Sequence, residues 1–314
     1  MKIGILGTGV IGLLYGWALN QKHEVLHIVR TEKLAELDEH KISIDVIDER
    51  VKGEDQTIFD TYKIHALPQA DETLDLIIVP VAEKQLEQAL LDLTSYAPHS
   101  RYLLMTSNWN GTKIIDTYLE KAQYIMGYAG GGGTIRMHNS QEELWGNIGA
   151  DIVIGSTFSE QECLLKMVNE MFQEIDIVPE VTPDILHWLW IHNIDSAAMG
   201  VGLQEYDDIN DFLQNQEIIK ICFCATIEGF LICEKRGVNL KDFPEVQMYA
   251  MPFQDLYPIF KGNFETNPIM QRYTAHAIHA IPEMVHNFRK IYETGKELGI
   301  AMPNMEKLYK MILS

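Results

Sequence analysis

Three glycines near the N-terminus, Gly7, Gly9 and Gly12, have the spacing most specific for a chemical role. Apolar residues precede them at positions 3–6, as in a buried strand, and residues 13–19 continue as in a helix. In such a turn the first glycine permits a tight bend, the second lets a pyrophosphate approach the backbone, and the third lets helix and strand pack closely. The alternative is a plain glycine-rich turn, but this context favours a dinucleotide-binding segment whose helix N-terminus faces the phosphates. The segment comprises Gly7, Thr8, Gly9, Val10, Ile11 and Gly12.

Arg30 and Lys33 follow the second strand-like run, residues 24–29, and indicate which dinucleotide binds. Sites for NAD usually have an acidic residue after this strand to accept a hydrogen bond from the ribose 2′-hydroxyl, whereas an arginine accommodates the 2′-phosphate of NADP. Arg30 can donate two hydrogen bonds to that phosphate, and Lys33 adds positive charge. The alternatives are a merely solvated Arg30 and a ribose contact from Glu32. We predict NADP as the cofactor.

Asn110 and Gly111 follow the strand-like run 101–106. Ligands bind at the carboxyl ends of strands in parallel sheets, and an amide can both donate and accept hydrogen bonds. Asn-Gly is equally suited to an ordinary turn.

Four consecutive glycines occupy positions 130–133 after another strand-like run. Such a run loses much chain entropy on folding, so it indicates either a backbone that passes close to a ligand or a flexible loop. Gly132 is therefore a second candidate cofactor contact.

His192 and Asn193 lie in a mostly apolar helical run, with Leu189 on the same face. A polar pair on such a helix could line a cleft between two domains or form a buried hydrogen-bonded pair. A metal site is not expected. His276, His279, Glu283 and His286 are spaced like ligands on one helix, but Pro282 should interrupt that helix and begin a new one.

The composition excludes several classes of protein. A formal net charge of −20 over 314 residues disfavours nucleic acid and anionic membranes as partners. The four cysteines have no metal-ligand spacing and indicate core thiols in a reducing compartment. With no signal-like segment before the first strand and no membrane-spanning apolar run, we expect a cytoplasmic protein.

The elements that must position these residues change in type along the chain. Strand-like runs alternate with helices up to about residue 182, at 3–6, 24–29, 42–46, 74–81, 101–106, 124–127, 151–155 and 175–178. Alternation predicts a parallel, doubly wound sheet. From residue 183 helices dominate, at about 184–202, 215–236, 270–280 and 283–299. We predict an α/β fold with a Rossmann domain over 1–182 and a helical substrate and dimerisation domain over 183–314.

The order of these features resembles the ketopantoate reductase family. The resemblance starts with the glycine motif and Arg30 and continues through Gln85, Asn110-Gly111, Asn193 and Glu283. The ending, Gly299-Ile300 followed by Pro303, Leu308 and Tyr309, is similar to the family's finish. The resemblance implies that NADPH passes a hydride to a 2-keto acid in a cleft between the domains. Asn110 and Glu283 would contact cofactor and substrate, and Asn193 the substrate.

The residues expected to carry out the reaction differ from those of the family, whereas those expected to bind the cofactor agree with it. Leu189 stands four residues before Asn193, where the family has the lysine that protonates the new alkoxide. Ala82 replaces a second lysine, and residues such as Gln271 and Ala275 stand where the family has Ser and Asp. Losing a positioned general acid lowers the rate about 10²–10⁴-fold.

His192 lies one turn from the missing lysine, and imidazole titrates near neutral pH. We hypothesise that His192 is a substitute acid, with His187 as the weaker alternative. The chain is then an NADPH-dependent reductase of a small carbonyl compound. The alternatives are an NADP(H)-binding or sensing protein without turnover and a dehydrogenase with another hydroxy-acid substrate. The long apolar helices could pack on each other or in a homodimer.

Overall fold

The computed structural model describes residues 1–53, 56–275 and 277–313, apart from the side chains of Ile278 and His279. Its strands are β1 (Lys2–Leu6), β2 (Glu24–Ile28), β3 (Lys41–Asp48), β4 (Thr57–Lys63), β5 (Ala66–Leu67), β6 (Leu76–Val79), β7 (Tyr102–Leu104), β8 (Tyr124–Tyr128), β9 (Gly131–His138), β10 (Gln141–Ile148), β11 (Asp151–Gly155) and β12 (Val178–Thr182).

The α-helices are α1 (Val10–Leu19), α2 (Thr31–Leu37), α3 (Glu83–Tyr96), α4 (Ile115–Tyr118), α5 (Glu162–Gln173), α6 (Ile185–Leu203), α7 (Ile209–Gln214), α8 (Gln216–Lys235), α9 (Pro244–Met248), α10 (Phe253–Thr266), α11 (Pro268–Tyr273), α12 (Ala277–Glu297) and α13 (Pro303–Leu313). Short 3₁₀ helices lie at Lys121–Gln123, Ser159–Gln161 and Leu240–Asp242. No helix in the described part of the chain is long and apolar enough to cross a membrane.

Eight of the described strands form one sheet in the order β12-β11-β8-β7-β6-β1-β2-β5. β11 runs antiparallel to β8, and the other neighbouring pairs are parallel. Every residue of β6 is buried, as expected for a strand covered on both faces. The chain passes from β1 to β2 on one side and later returns to β6 on the other. The carboxyl ends of β1 and β6 therefore flank the switch point at which such sheets bind ligands, and the predicted Rossmann fold is confirmed.

A second sheet of the described chain has the order β4-β3-β10-β9. The expectation that residues 42–46 belong to the parallel sheet is wrong, because β3 pairs with β4 and β10 instead. Ile42, Ile44 and Val46 are buried in the same core cluster as residues of α1, while Ser43 lies on the opposite face. This alternation is typical of a sheet with one buried face, and it distinguishes β3 from the wholly apolar β6.

The glycine run does not form a loop, because Gly131–Gly133 open β9 and pair with β10. A Cβ on Gly131 would lie 2.6 Å from the Asn147 carbonyl oxygen, and one on Gly132 would lie 2.9 Å from that of Tyr273. The N–H of Gly130 donates to the Tyr15 hydroxyl at 2.9 Å. Close backbone packing explains the run, so of the two alternatives the flexible loop is wrong.

Two predicted boundaries are also wrong. The strand expected at 175–178 begins only at Val178, because residues 175–177 form the turn after α5, with Asp176 at a φ of +61°. Pro282 lies inside α12 and does not begin a new helix. It falls in the second turn, where its missing N–H removes one hydrogen bond near the end of the helix and leaves the following turns intact.

Contacts divide the chain into two compact units, residues 1–185 with 272–275 and residues 186–271 with 276–314. The first unit holds both sheets, and the described part of the second is helical. Arg272 joins the first unit by donating from Nη1 to Asp45 Oδ1 at 2.7 Å and to the Gly146 carbonyl oxygen at 3.2 Å. Its guanidinium also lies 5.0 Å from the centroid of the Trp145 ring. A short segment remote in sequence therefore completes the outer face of the second sheet.

In the helical unit, Glu228 on α8 holds the start of α13. Its buried carboxylate accepts hydrogen bonds from the backbone N–H groups of Asn304 and Met305 at 3.0 and 2.8 Å and from Asn304 Nδ2 at 2.7 Å. The first N–H groups of a helix lack acceptors within it, and a negative charge there is favourable. A side chain from another helix thus caps the C-terminal helix.

We expect Glu228→Ala to lower the free energy of unfolding by about 2–3 kcal/mol, because the buried Met305 N–H and the two partly buried donors of Asn304 lose a charged acceptor. Glu228→Gln keeps one acceptor and should lose less. Urea denaturation measures both, with the exposed Glu234→Ala on the same helix as the control. Equal stability of Glu228→Ala and wild type would contradict this capping role.

Candidate active site

The glycine motif forms a tight turn between β1 and α1. Gly7 has a φ of +83°, the left-handed region that favours glycine, and its N–H donates to the Ile28 carbonyl oxygen at 2.8 Å. Gly9 is the exposed N-cap of α1, and apart from its chain neighbours no atom of the described chain lies within 4 Å of a Cβ built on it. A Cβ on Gly12 would lie 3.0 Å from the Gly7 carbonyl oxygen.

Each glycine therefore has the geometry that phosphate binding requires. The turn is tight at Gly7, the space in front of Gly9 is open, and helix and strand are in close contact at Gly12. Val10 and Ile11 begin α1, so the N–H groups of its first turn have no acceptor within the helix. Thr8 links the two glycines. These residues fit a dinucleotide pyrophosphate.

Arg30 lies beside this turn. Ile28 ends β2 in register with Leu6 at the end of β1, and Arg30 follows two residues later as the N-cap of α2. Its side chain is 80% exposed, with Nε 3.6 Å from Glu32 Oε1. Lys33 Nζ donates to Glu36 at 2.6 Å. A surface ion pair of this kind is weak, so the guanidinium is available to a stronger anion.

Asn110 is exposed in the turn after β7, two strands from β1 at the carboxyl edge of the sheet. Its neighbour Asn108 is buried with a φ of +45° and places Nδ2 3.1 Å from Met126 Sδ. Asn108 shapes the turn, and Asn110 is exposed to solvent.

Glu83, at the start of α3, is a residue that the sequence did not single out. Its buried Oε2 accepts from the Ser107 hydroxyl and from the Trp109 N–H, each at 3.1 Å. The carboxylate therefore joins the segment after β6 to the loop that carries Asn110. An acidic residue in the first turn of a helix was the available signal, but it is too common to be diagnostic.

In the helical unit, Asn193 is 7% exposed and pairs with Asn287, which is 5% exposed. Asn287 Nδ2 donates to Asn193 Oδ1 at 3.0 Å. Within the described chain, neither Asn193 Nδ2 nor Asn287 Oδ1 has a hydrogen-bond partner. Since unpaired buried polar groups are costly, this pair can offer one donor and one acceptor to a polar ligand. Glu283 lies one turn before Asn287 on α12, so the pair links Asn193 to the helix that carries Glu283.

His192 is held on both sides of its ring. Nδ1 lies 3.0 Å from the Trp188 carbonyl oxygen, Nε2 lies 3.4 Å from Glu245 Oε1, and the ring stacks on that of Trp188 with centroids 3.3 Å apart. Because both facing atoms are acceptors, a proton on each ring nitrogen suits this environment. Leu189, one turn before Asn193 on α6, is 2% exposed and belongs to the core.

The predicted residues thus fall into two groups, each within its own unit. The glycine turn, Arg30, Lys33, Asn110 and Gly132 lie in the first unit, and His192, Asn193 and Glu283 in the second. The assignment of Gly132 to the cofactor stays a prediction, since its close neighbour is Tyr273. His276 and the side chain of His279, from the histidine stripe, lie outside the described residues.

The chain is similar to several known proteins in sequence or in fold. Residues 3–141 match the family described as Ketopantoate reductase PanE/ApbA. A 2-dehydropantoate 2-reductase from Pyrococcus abyssi is 27% identical over 263 residues, which cover 79% of this chain and 79% of that protein.

Two solved structures share the fold. D-Mandelate dehydrogenase in a ternary complex with NADH and anilino(oxo)acetate matches with a TM-score of 0.73 and 17% identity over 99% of this chain and 97% of that one. A dimeric ketopantoate reductase from Staphylococcus aureus matches with a TM-score of 0.68 and 13% identity over 99% of this chain and 96% of that one.

Proposed function

We propose that this chain, which is similar to the ketopantoate reductases, reduces a small 2-keto acid or related carbonyl compound with NADPH. The match over residues 3–141 confirms the resemblance drawn from the sequence. The chain is an oxidoreductase of the class that acts on CH–OH groups with a nicotinamide cofactor. NADPH as the cofactor and a keto acid as the substrate are the parts that we propose.

The observation that carries this proposal is the open glycine turn with Arg30 beside it. Gly9 leaves room for a pyrophosphate at the N-terminus of α1, and Arg30 supplies an exposed guanidinium where a ribose 2′-phosphate would lie. Lys33 adds a second positive charge one turn further along α2. When bound, a reduced nicotinamide supplies the hydride to the carbonyl carbon.

The substrate groups are proposed to come largely from the helical unit. Asn193 Nδ2 is buried without a partner in the described chain and is suited to donate to a substrate oxygen. Glu283 and Asn110 would contact substrate and cofactor, as the family resemblance implies. His192 would give a proton from its imidazolium to the alkoxide oxygen that hydride addition creates.

One observation favours a second candidate, an NADP(H)-binding protein without turnover. Leu189 is buried where the family has its lysine, so that position offers no proton donor. Consumption of NADPH with a panel of 2-keto acids separates the two functions. Tight NADPH binding with no turnover on the whole panel would favour the binding protein. NADP reduction by a hydroxy acid, without reduction of the keto-acid panel, would indicate a dehydrogenase with another hydroxy-acid substrate.

We expect Arg30→Ala to weaken NADPH binding roughly 10- to 100-fold, because a charge-assisted hydrogen-bond pair contributes about 1.5–3 kcal/mol. NADH has no 2′-phosphate, so its affinity should stay within about twofold. Titration of the protein with both cofactors, followed by nicotinamide or tryptophan fluorescence, measures the two dissociation constants.

Glu32→Ala is the matched control on the same short helix. If Glu32 instead bound the ribose 2′-hydroxyl, Glu32→Ala would weaken the binding of NADH, and Arg30→Ala would leave the binding of NADPH unchanged. That result would exclude the NADP assignment.

We also propose that the chain forms a homodimer. The Staphylococcus aureus structure is described as dimeric, and Ile227 and Leu231 on α8 are exposed apolar residues of this chain. Light scattering tests this proposal, and a monomer mass at micromolar concentration would contradict it.

A further inference from the structure

A buried histidine lies directly beneath the glycine turn. His27, in β2, has no exposed surface, and its Nδ1 is 2.9 Å from the carbonyl oxygen of Gly7. Its Nε2 is 3.0 Å from the hydroxyl of Tyr62 on β4. A polar pair at the centre of an apolar core lowers stability unless each group has a hydrogen-bond partner. The partners of His27 and Tyr62 therefore indicate what the pair does.

The hydrogen bonds of this pair have a fixed direction. A carbonyl oxygen can only accept, so Nδ1 carries the proton that is donated to Gly7. Burial lowers the pKa of His27 to about 4, so the ring is neutral at pH 7, and Nε2 accepts from Tyr62. Burial also raises the pKa of Tyr62 well above its usual range, which keeps its hydroxyl a donor. The order is Tyr62 hydroxyl to His27 to Gly7 carbonyl.

The facing helix leaves space for this pair. A Cβ on Gly16 of α1 would lie 2.7 Å from His27 Nε2 and 3.0 Å from the Tyr62 hydroxyl oxygen. Any other residue at this position would displace the pair. Gly16 is outside the dinucleotide motif, so its role follows only from His27 and Tyr62.

The bond from His27 fixes the orientation of one peptide group. The Gly7 N–H is already held by the Ile28 carbonyl, and the Gly7 C=O is held by His27. In a trans peptide the C=O and the next N–H point in opposite directions, so the Thr8 N–H points away from β2. In this turn the N–H groups and the helix N-terminus are the phosphate-binding elements.

We propose that His27 is a positioning residue for the pyrophosphate of the dinucleotide, acting through the Gly7 carbonyl. This inference rests on the proposed dinucleotide function. It assigns a role in binding to a residue that would never contact the cofactor itself.

The test compares His27→Leu, His27→Asn and Tyr62→Phe by calorimetric titration with two probes. One probe is 2′-phospho-ADP-ribose, which contains the pyrophosphate, and the other is adenosine 2′-monophosphate, which lacks it. We expect His27→Leu to lower the affinity for the first probe about tenfold, the typical effect of one hydrogen bond. The affinity for the second probe should fall by less than about twofold. His27→Asn keeps a donor at the δ position and should restore most of the loss.

Tyr62→Phe keeps His27 and removes only the donor to Nε2, so it should weaken the pyrophosphate probe less than His27→Leu does. If His27→Leu fails to fold, the same contrast between probes is read from Tyr62→Phe against His27→Asn. Unchanged affinity for the pyrophosphate probe, or equal loss on both probes, would overturn the positioning role. Wild-type protein that binds neither probe would instead refute the proposed NADP function, and the inference with it.

Discussion

Gly9→Asp is expected to abolish dinucleotide binding and to leave the protein at least as stable as wild type. Gly9 is the N-cap of α1 with φ −71° and ψ 175°, a conformation that aspartate adopts readily. Aspartate is a better N-cap than glycine by a few tenths of a kcal/mol, and its charge complements the helix dipole. The same carboxylate would occupy the space in which we place the pyrophosphate. At about 4 Å and an effective dielectric constant near 20, two negative charges repel by about 4 kcal/mol, so the loss should exceed about 100-fold.

Two measurements are needed, because Gly9→Asp should maintain or raise the stability of the protein but lower its affinity for NADPH. Thermal unfolding should show an equal or higher melting temperature, while titration with NADPH should show almost no binding. Gly9→Ser is the matched control, since it is also a good N-cap but carries no charge. It should bind NADPH more tightly than Gly9→Asp does. Normal NADPH affinity in Gly9→Asp would contradict the placement of the phosphates at this helix.

His192→Gln is expected to lower kcat by about 10²–10⁴-fold with an accepted keto substrate, the usual effect of removing a general acid. A protonated acid is required, so the wild-type kcat should fall as the pH rises across about 5–8, where histidine titrates. The variant should lose this fall, because glutamine does not titrate. Steady-state rates over that range, with saturating NADPH, measure both effects.

His187→Gln is the control on the same helix and should retain the wild-type pH profile. In Glu245→Gln the fall of kcat should occur at lower pH than in the wild type. Glu245 Oε1 lies 3.4 Å from His192 Nε2, and its negative charge favours the protonated ring. A His192→Gln variant with the wild-type kcat and pH profile would exclude His192 as the acid. An effect confined to His187→Gln would transfer the role to that residue.

The main architecture could be predicted because its signals are local. An apolar run leading into glycines and then a helix defines β1 and α1, and the change from strands to long helices near residue 183 separates the two kinds of structure. The wholly apolar residues of β6 likewise indicate a strand buried on both faces. Local patterns of this kind also located the exposed Arg30 beside the glycine turn.

The second sheet could not be predicted, because its identity depends on which strands pair. β4 has few apolar residues, and β9 begins with three glycines that only make sense against β10 and Tyr273. The prediction that Pro282 begins a new helix was wrong for a different reason. A proline in the second turn of a helix removes only one hydrogen bond near its end, so the helix can start before it. The contacts of Glu83, Asn287 and His27 join residues that are distant in sequence, and no spacing reveals them.

The segment Arg272–Ala275 has a consequence for how the chain is made. The first unit is closed by residues that leave the ribosome only after most of the second unit has been synthesised. At about 5–20 residues per second, Arg272 follows residue 185 by several seconds. During that interval the buried carboxylate of Asp45 lacks its Arg272 partner. Until then Arg136, at 3.5 Å, is the charged partner of Asp45, and a fragment that stops at residue 185 would lack the Arg272 contact permanently.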